Sequence, residues 1–254
     1  MIRVPVLLLA LAAGGARAVT FGAWVPDFDD GFATFRARVG DMDSISLFYY
    51  SLSSTGAVIP PKAGEHRELI GWAQARGVTV WATVGGTPPT LPAAFSGAAG
   101  ERAAAELAAV CERFGFDGID LDFEGINRTA RDAYTVFVRK LAATLHGMAR
   151  PRRLAVTVQD FPSAEDEASM AFDYAALGAA ADEVRVMCYD YSYDKPGPLM
   201  PRQWYCDILS FAGSRIPPGK FIAALPWYGR DWTGGGPEHE DLLHGQIEAR
   251  TGIA

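Results

Sequence analysis

The chain alternates between two kinds of segment: runs rich in β-branched and aromatic residues, and longer amphipathic or alanine-rich runs. The first kind predicts β-strands and the second predicts helices. Seven predicted strands follow one another along the chain, at 19–26, 44–52, 78–86, 116–125, 153–161, 183–191 and 220–232. A predicted helix follows each of them, and the connections are short. Repeated strand–helix units of this kind indicate a parallel sheet covered by helices.

An α/β fold of the (β/α)8 TIM-barrel type accounts for this pattern better than a doubly wound sheet does. A barrel of this type uses about 250 residues as one domain. The chain has 254 residues and shows no shift in composition that would mark a second domain. A dinucleotide-binding sheet would carry G-x-G-x-x-G after its first strand, and that motif is absent from the sequence.

The predicted barrel lacks its eighth strand. The last strand signal ends at Trp232, and residues 239–252 predict a seventh helix. We therefore expect a C-terminally truncated catalytic barrel over residues 19–254, in which the first and seventh strands each have an unpaired edge. Unpaired edges favour aggregation or pairing with another chain.

Residues 1–18 have the features of a secretory signal peptide. Arg3 supplies a positive charge, residues 4–13 are apolar, and an A-x-A cleavage site ends at Ala18. The apolar run is too short to span a bilayer comfortably, and no other segment predicts a membrane span. We therefore expect a secreted protein whose mature chain starts near Val19. The alternative is a buried first helix.

Charge and cysteine content exclude several classes of function. The formal net charge is −7 at pH 7 and no run of Lys or Arg is present, which argues against nucleic acid as a partner. The acidic balance suits a neutral ligand better than an anionic one. The three cysteines, Cys111, Cys188 and Cys206, form neither a disulfide framework nor a zinc pattern, so we expect buried free thiols.

One segment, DGIDLDFEG at 117–125, concentrates carboxylates in an otherwise apolar strand. Because side chains alternate along a strand, Asp120, Asp122 and Glu124 face one side and the apolar residues between them face the other. This pattern alone fits either a strand with a solvated acidic face or a carboxylate row directed into a pocket. Helices cover the outer face of a parallel barrel, so the barrel favours the pocket. Glu124 should then lie at the C-terminal mouth, where barrel active sites are found.

The same segment resembles the D-x-x-D-x-D-x-E signature of glycoside hydrolase family 18, the chitinase and N-acetylglucosaminidase family. All four acidic positions are filled, by Asp117, Asp120, Asp122 and Glu124. Three further stretches resemble family motifs in order and spacing, namely TVGG at 83–86, MCYD at 187–190 and LPWYGRDW at 225–232. Thr83 replaces the serine of the first of these motifs. The last stretch looks most similar to the branch that holds spore-cortex hydrolases and chitobiase-like enzymes.

The resemblance implies a glycosidase that cleaves β-1,4 bonds next to N-acetylglucosamine, in chitin oligosaccharides or in peptidoglycan. Substrate assistance with retention replaces the usual pair of catalytic carboxylates in this family, and neither a metal nor a cofactor is implied. Glu124 would be the general acid, and the 2-acetamido oxygen of the substrate would attack C1 to form an oxazolinium ion. Asp122 would orient the acetamido group and Asp120 would share a proton with Asp122. Tyr189 would hydrogen-bond the acetamido oxygen.

The resemblance also suggests residues that bind the sugar. Asp190, Tyr228 and Arg230 match family positions that contact it, and Trp227 and Trp24 are candidates for stacking on sugar rings. Most other aromatic residues are expected in the core. The family pattern ends with an eighth-strand tryptophan below the sugar, and no residue of this sequence matches it.

Two other functions remain open. The fold could serve as a non-catalytic, lectin-like barrel that binds chitin or peptidoglycan, although Glu124 and Asp122 are both retained. The carboxylate row could bind Mg²⁺ or Ca²⁺ for metal-assisted hydrolysis, although no His accompanies it and no D-x-D-x-D-G loop is present. Asp117 is more simply explained as a residue that begins the strand and binds a neighbouring backbone.

Overall fold

The computed structural model describes residues 6–10, 19–26, 31–61, 67–233 and 238–252. Arg3 and the predicted cleavage site at Ala18 lie outside these ranges. The strands are β1 (Val6–Ala10), β2 (Thr20–Val25), β3 (Ser44–Leu52), β4 (Val58–Ile59), β5 (Thr79–Gly86), β6 (Gly118–Asp122), β7 (Arg153–Gln159), β8 (Glu183–Met187), β9 (Phe221–Pro226), β10 (Tyr228–Asp231) and β11 (Glu240–Leu243). The helices are α1 (Gly31–Arg38), α2 (Arg67–Gln74), α3 (Gly97–Phe114), α4 (Arg131–His146), α5 (Ala164–Ser169), α6 (Tyr174–Ala180), α7 (Arg202–Arg215) and α8 (His244–Thr251).

The predicted parallel barrel is confirmed. Its strands β2, β3, β5, β6, β7, β8 and β9 pair in that order, each parallel to the next. Each of them lies within one of the seven strand signals of the sequence, and helices such as α3 and α4 pack on their outer side. Parallel pairing follows from the helix that separates each strand from the next, since such a crossover returns the chain to the same end of the sheet.

The gap between the first and last parallel strands is filled by β1. This strand pairs antiparallel with both neighbours, so that Leu8 lies opposite Gly22 of β2 and Ala224 of β9. The edges of β2 and β9 are therefore paired in the chain that retains β1, and the unpaired edges expected for residues 19–254 stay a prediction. The part of the N-terminal segment that the structure describes, Val6–Ala10, forms a strand and not the buried helix considered as an alternative. Removal of this segment in a mature protein stays a prediction, and it would expose both edges.

The sequence prediction is also wrong at the last strand and helix. The predicted strand at 220–232 is two strands, because β9 ends at Pro226 and β10 begins after Trp227. β10 forms a separate two-stranded sheet with β11, in which Arg230 lies opposite Asp241 and donates to its carboxylate at 3.0 Å. The first residues of the helix predicted at 239–252 therefore form β11, and the observed helix, α8, begins at His244.

The alternation along β6 is confirmed and separates two environments. Ile119 and Leu121 are fully buried in the hydrophobic core between the sheet and the helices. Asp120 and Asp122 point to the barrel interior, and they are buried as well. The strand begins at Gly118, where a Cβ atom would lie 2.5 Å from the ring of Trp81. Only glycine allows the indole to fill this part of the interior.

No helix among the described residues is long and apolar enough to cross a membrane. All three cysteines are free. Cys111 and Cys188 are buried, as expected, whereas Cys206 is exposed on α7.

Candidate active site

The carboxylate row runs from the barrel interior to the mouth. Asp120 is fully buried and Asp122 is 4% exposed, whereas Glu124, just beyond the end of β6, is exposed. Gly125 follows with a φ of 67°, a left-handed conformation that ends the extended backbone. The interpretation of a solvated acidic face is therefore wrong for the two aspartates.

Asp120 lies at the centre of a buried hydrogen-bond network. Its Oδ2 accepts from Nε1 of Trp24 and from Nη1 of Arg185, both at 2.8 Å. Its Oδ1 accepts from the hydroxyl of Thr157 at 2.9 Å. Thr83, which stands in place of the family's serine, lies 3.4 Å from Oδ2. These four donors come from four different strands, so the position of Asp120 depends on the assembled barrel.

The sequence prediction missed two charged residues of this network, Arg185 and Glu183. The guanidinium of Arg185 is fully buried and binds Oε2 of Glu183 through Nε at 3.1 Å and Nη2 at 2.8 Å. Glu183 also accepts from Nη2 of Arg153 at 2.9 Å. The sequence carried a signal for them, because Glu183 and Arg185 alternate with Val184 and Val186. Both faces of a strand in a parallel barrel are buried, so these charges had to lie in the interior. A charge in such a position needs a buried partner.

Asp117 binds a neighbouring backbone, as predicted. Its Oδ2 accepts from the backbone N–H of Val80 and from Nε2 of Gln74, both at 2.9 Å. Arg150 lies 3.3 Å from Oδ1. The first acidic residue of the signature thus joins the start of β6 to β5 and to α2.

Tyr189 lies two residues beyond β8 and shares the interior with the carboxylate row. Burial raises the pKa of its phenol well above the ordinary value, and the charge of Asp122 and the neighbouring Tyr228 and Glu124 raise this pKa further. The rings of Tyr189 and Tyr228 meet edge to face, with centroids 6.2 Å apart. A neutral phenol donates a hydrogen bond, so Tyr189 brings a donor to the space that the carboxylates define.

Asp190 has an unusual backbone that its neighbours stabilise. Its φ of 67° is the one positive value at a non-glycine residue within the described ranges, and such conformations cluster at functional sites. Arg230 approaches Oδ1 of Asp190 at 2.8 Å, and the hydroxyl of Tyr228 donates to the same oxygen. Arg230 also donates to the backbone oxygen of Ser192 at 3.0 Å. The structure thus brings Asp190, Tyr228 and Arg230 together.

The two tryptophans that were candidates for stacking lie in different environments. Trp24 is 2% exposed and its indole N–H donates to Asp120, so its position suits support of the carboxylate better than contact with a sugar ring. Trp227, between β9 and β10, is 53% exposed. Two further exposed aromatic residues, Tyr191 and Tyr193, follow β8. Sequence reasoning missed them, although the repeat of tyrosine in YDYSYD is visible.

Asp160 is a further carboxyl group that the sequence prediction missed. It directly follows β7, at the end of the barrel that carries Glu124, and it is half-buried. Burial raises the pKa of Asp160 to about 7, and the charges of Asp166 and Asp190 act in the same direction. Carboxyl groups that titrate near neutrality are enriched at functional sites.

Among the described residues, no three His, Cys, Asp or Glu side chains form a group that could hold a metal ion. N–H and O–H donors occupy the oxygens of Asp120. Asp120, at the buried end of the row, is therefore surrounded by hydrogen-bond donors and not by further metal-binding oxygens.

Curated relatives match about half of this chain. The protein named uncharacterized glycosylase YvbX, from Bacillus subtilis (strain 168), is 30% identical over 129 residues, which are 50% of this chain and 38% of that protein. The cortical fragment-lytic enzyme of the same organism is 28% identical over 130 residues, which are 50% of this chain and 30% of the enzyme. The matches thus span well under half the length of these relatives.

Solved structures share the fold over nearly the whole chain. A chitinase from Chromobacterium violaceum superposes with a TM-score of 0.83 at 26% identity, over 92% of this chain and 77% of that one. The spore cortex-lytic enzyme SleL of Bacillus cereus superposes with a TM-score of 0.80 at 19% identity, over 90% of this chain and 56% of the enzyme, which is a likeness of fold alone. The family model described as glycosyl hydrolases family 18 matches residues 31–253. The signature, the barrel and this match agree, and the chain belongs to glycosyl hydrolases family 18.

Proposed function

We propose that this chain is a retaining glycosidase that hydrolyses β-1,4 bonds next to N-acetylglucosamine, with Glu124 as the general acid. The observation that carries the proposal is the gradient of burial along the row, from Asp120 and Asp122 in the interior to Glu124 at the mouth. A general acid must reach the glycosidic oxygen of a bound polymer, and Glu124 is the member of the row that is open to one. The buried carboxylates suit the part of the sugar that enters the barrel.

In the proposed reaction Glu124 gives its proton to the glycosidic oxygen while the bond from this oxygen to C1 breaks. The acetamido oxygen of the substrate forms the new bond to C1 from the other face. Asp122 accepts a hydrogen bond from the acetamido N–H and offsets the positive charge of the oxazolinium ion. The phenol of Tyr189, kept neutral by burial and neighbouring charges, donates to the acetamido oxygen. Water then attacks C1, the bond from C1 to the acetamido oxygen breaks to restore the acetamido group, and the proton of the water returns to Glu124, with retention.

The substrate class is an oligosaccharide or polysaccharide that contains N-acetylglucosamine. The cortical fragment-lytic relative favours peptidoglycan and the structural relative named a chitinase favours chitin oligosaccharides. Both polymers present the acetamido group that the mechanism needs. Secretion, directed by the apolar segment at 4–13 and the site at Ala18, is part of the proposal because both polymers lie outside the cytoplasm.

Glu124→Gln is the direct test, since it keeps the size of the side chain and removes the transferable proton. We expect a loss of kcat of about 10²–10⁴-fold, the range for a general acid, while oligosaccharide binding survives. Glu112→Gln, on the exposed side of α3, is the matched control and should keep wild-type turnover. Products from chitin oligosaccharides and from peptidoglycan strands are analysed by mass spectrometry.

Two results would contradict the proposal. Near wild-type turnover in Glu124→Gln would remove Glu124 from the reaction. Oligosaccharide binding without turnover by the wild type would identify the lectin-like barrel instead, for which the exposed rings of Trp227 and Tyr191 offer contact surface.

A further inference from the structure

Arg185 is a fully buried cation on the inward face of β8, in contact with Asp120, the innermost member of the carboxylate row. Its Nη1 donates to Oδ2 of Asp120 at 2.8 Å and to the hydroxyl of Ser46 at 2.5 Å. Its Nε and Nη2 both donate to Glu183. The guanidinium thus donates hydrogen bonds to two carboxylates at once. The planar, five-donor guanidinium of arginine has this geometry, and the ammonium of lysine does not. The face of Trp81 lies against it, 4.7 Å from ring centroid to Cζ.

The partners of Asp120 determine what this residue can do. An indole N–H and a guanidinium can only donate hydrogen bonds, so Trp24 and Arg185 both require Oδ2 of Asp120 as an acceptor. The hydroxyl of Thr157 is placed to donate to Oδ1. A proton on Oδ2 would face two donors and lose both hydrogen bonds. Oδ2 of Asp120 is therefore fixed as an acceptor throughout the reaction, and a proton that Asp120 shares with Asp122 must lie on Oδ1, because the hydroxyl of Thr157 can accept as well as donate.

The charges around Asp120 form an alternating chain. Asp120 is paired with Arg185, Arg185 with Glu183, and Glu183 with Arg153, at distances between 2.8 and 2.9 Å. The two cations and two anions of this chain sum to zero. Asp122 is two residues above Asp120 on the same face of β6, so it meets a neutralised ion pair and not an uncompensated anion. That arrangement allows Asp122 to remain negative when the substrate develops positive charge.

We propose that Arg185 is a positioning residue for the reaction: it holds Oδ2 of Asp120 as a fixed acceptor and thereby sets the place and the charge environment of Asp122. The inference rests on the proposed function, because it assigns Asp122 the contact with the acetamido group. It leaves Oδ1 of Asp120 for the proton that the family resemblance implies Asp120 and Asp122 share. Arg185 acts through Asp120 and does not itself touch the sugar.

The test compares Arg185→Gln with Arg152→Gln. Arg152 is also buried, at 6% exposure, but it donates to the backbone oxygen of Phe116 at 2.6 Å and not to the row. Thermal unfolding and active-site titration give the folded fraction of each variant. Misplacement of a reacting group by about 1 Å can cost roughly 10²-fold, so we expect kcat of Arg185→Gln to fall about 100-fold per folded molecule. KM should change by less than about threefold, and Arg152→Gln should keep its kcat.

Arg185→Lys keeps the positive charge and loses the two hydrogen bonds to Glu183. It should regain about a tenth of wild-type kcat, which a merely structural role would not produce. If Arg185→Gln does not fold, the kcat of Arg185→Lys tests the positioning role by itself. Wild-type kcat per folded molecule in Arg185→Lys, or in a folded Arg185→Gln, would overturn the inference.

A second readout separates this inference from the proposed function. Calorimetry measures binding of a thiazoline mimic of the oxazolinium ion, which needs a correctly placed and negative Asp122 but no turnover. If the wild type and Glu124→Gln prove equally inactive, the proposed acid is refuted. Binding of the mimic that is at least about tenfold weaker in Arg185→Gln than in Arg152→Gln still supports the positioning role. Equal affinity of the two variants, or no binding by the wild type, overturns it.

Discussion

Asp160→Asn tests whether the half-buried carboxyl group after β7 makes stability depend on pH. In the folded chain, burial raises the pKa of Asp160 to about 7, and Asp166 and Asp190 add negative charge beside it. Tyr174 and Cys188 are also within its electrostatic reach, but burial raises their pKa values, so both stay neutral up to pH 8. The unfolded chain should titrate this group at about 3.9. The folded state therefore binds the proton more tightly than the unfolded state does.

The sign and the size of the effect follow from this difference. Because the folded pKa is raised, the stabilising contribution of the proton is complete below pH 4 and is lost as pH rises towards and through about 7. About three pKa units at roughly 1.4 kcal/mol each set a ceiling of about 4 kcal/mol. Asp160 keeps contact with solvent, so we expect about 1–2 kcal/mol. For a chain of this size that is a change in Tm of roughly 2–8 °C.

Thermal unfolding of residues 1–254 from pH 4 to pH 8 measures the effect. The wild type should lose stability over this range relative to Asp160→Asn, and the variant should be the more stable protein above pH 7. Asp194→Asn, at an exposed position of the loop after β8, is the control and should follow the wild type. Parallel stability curves for the wild type and Asp160→Asn would refute the reasoning, because both would then bind the same number of protons on folding.

Three further predictions follow from the site and the barrel. Asp122→Asn should lose turnover by about 10²-fold or more, substrates without the N-acetyl group should be poor even for the wild type, and a covalent sugar ester trapped on Asp122 would contradict the mechanism. Tyr228→Phe removes a hydrogen bond to Asp190 and should raise KM several-fold with little change in kcat, so an effect confined to kcat in steady-state kinetics would count against a sugar-binding role. Residues 19–254 alone lack the antiparallel partner of β2 and β9. They should melt at lower temperature and associate in analytical ultracentrifugation, and an equally stable monomer would contradict this expectation.

The sequence predicted those parts of the site that depend on local periodicity. The acidic residues of β6 could be assigned to one face because the alternation of a strand is a property of the backbone. The sequence also predicted the structural role of Asp117, which directly precedes the strand. It did not predict the environment of Trp24, whose aromatic ring suggested a sugar platform. The ring is buried, and its N–H is used by a carboxylate 96 residues away. Such a contact has no local signature.

The sequence by itself determined the alternation of strands and helices, the inward face of the carboxylate row and, through its motifs, the family. Each of these depends on spacing within a few residues, which the chain carries before it folds. Only the tertiary structure decided that β1 occupies the gap between β2 and β9, and that Arg185 pairs with Asp120 across 65 residues. These contacts depend on which strands become neighbours when the barrel closes. Burial then decides the outcome, because a charge inside a barrel needs hydrogen bonds or a partner of opposite charge that other strands bring to it.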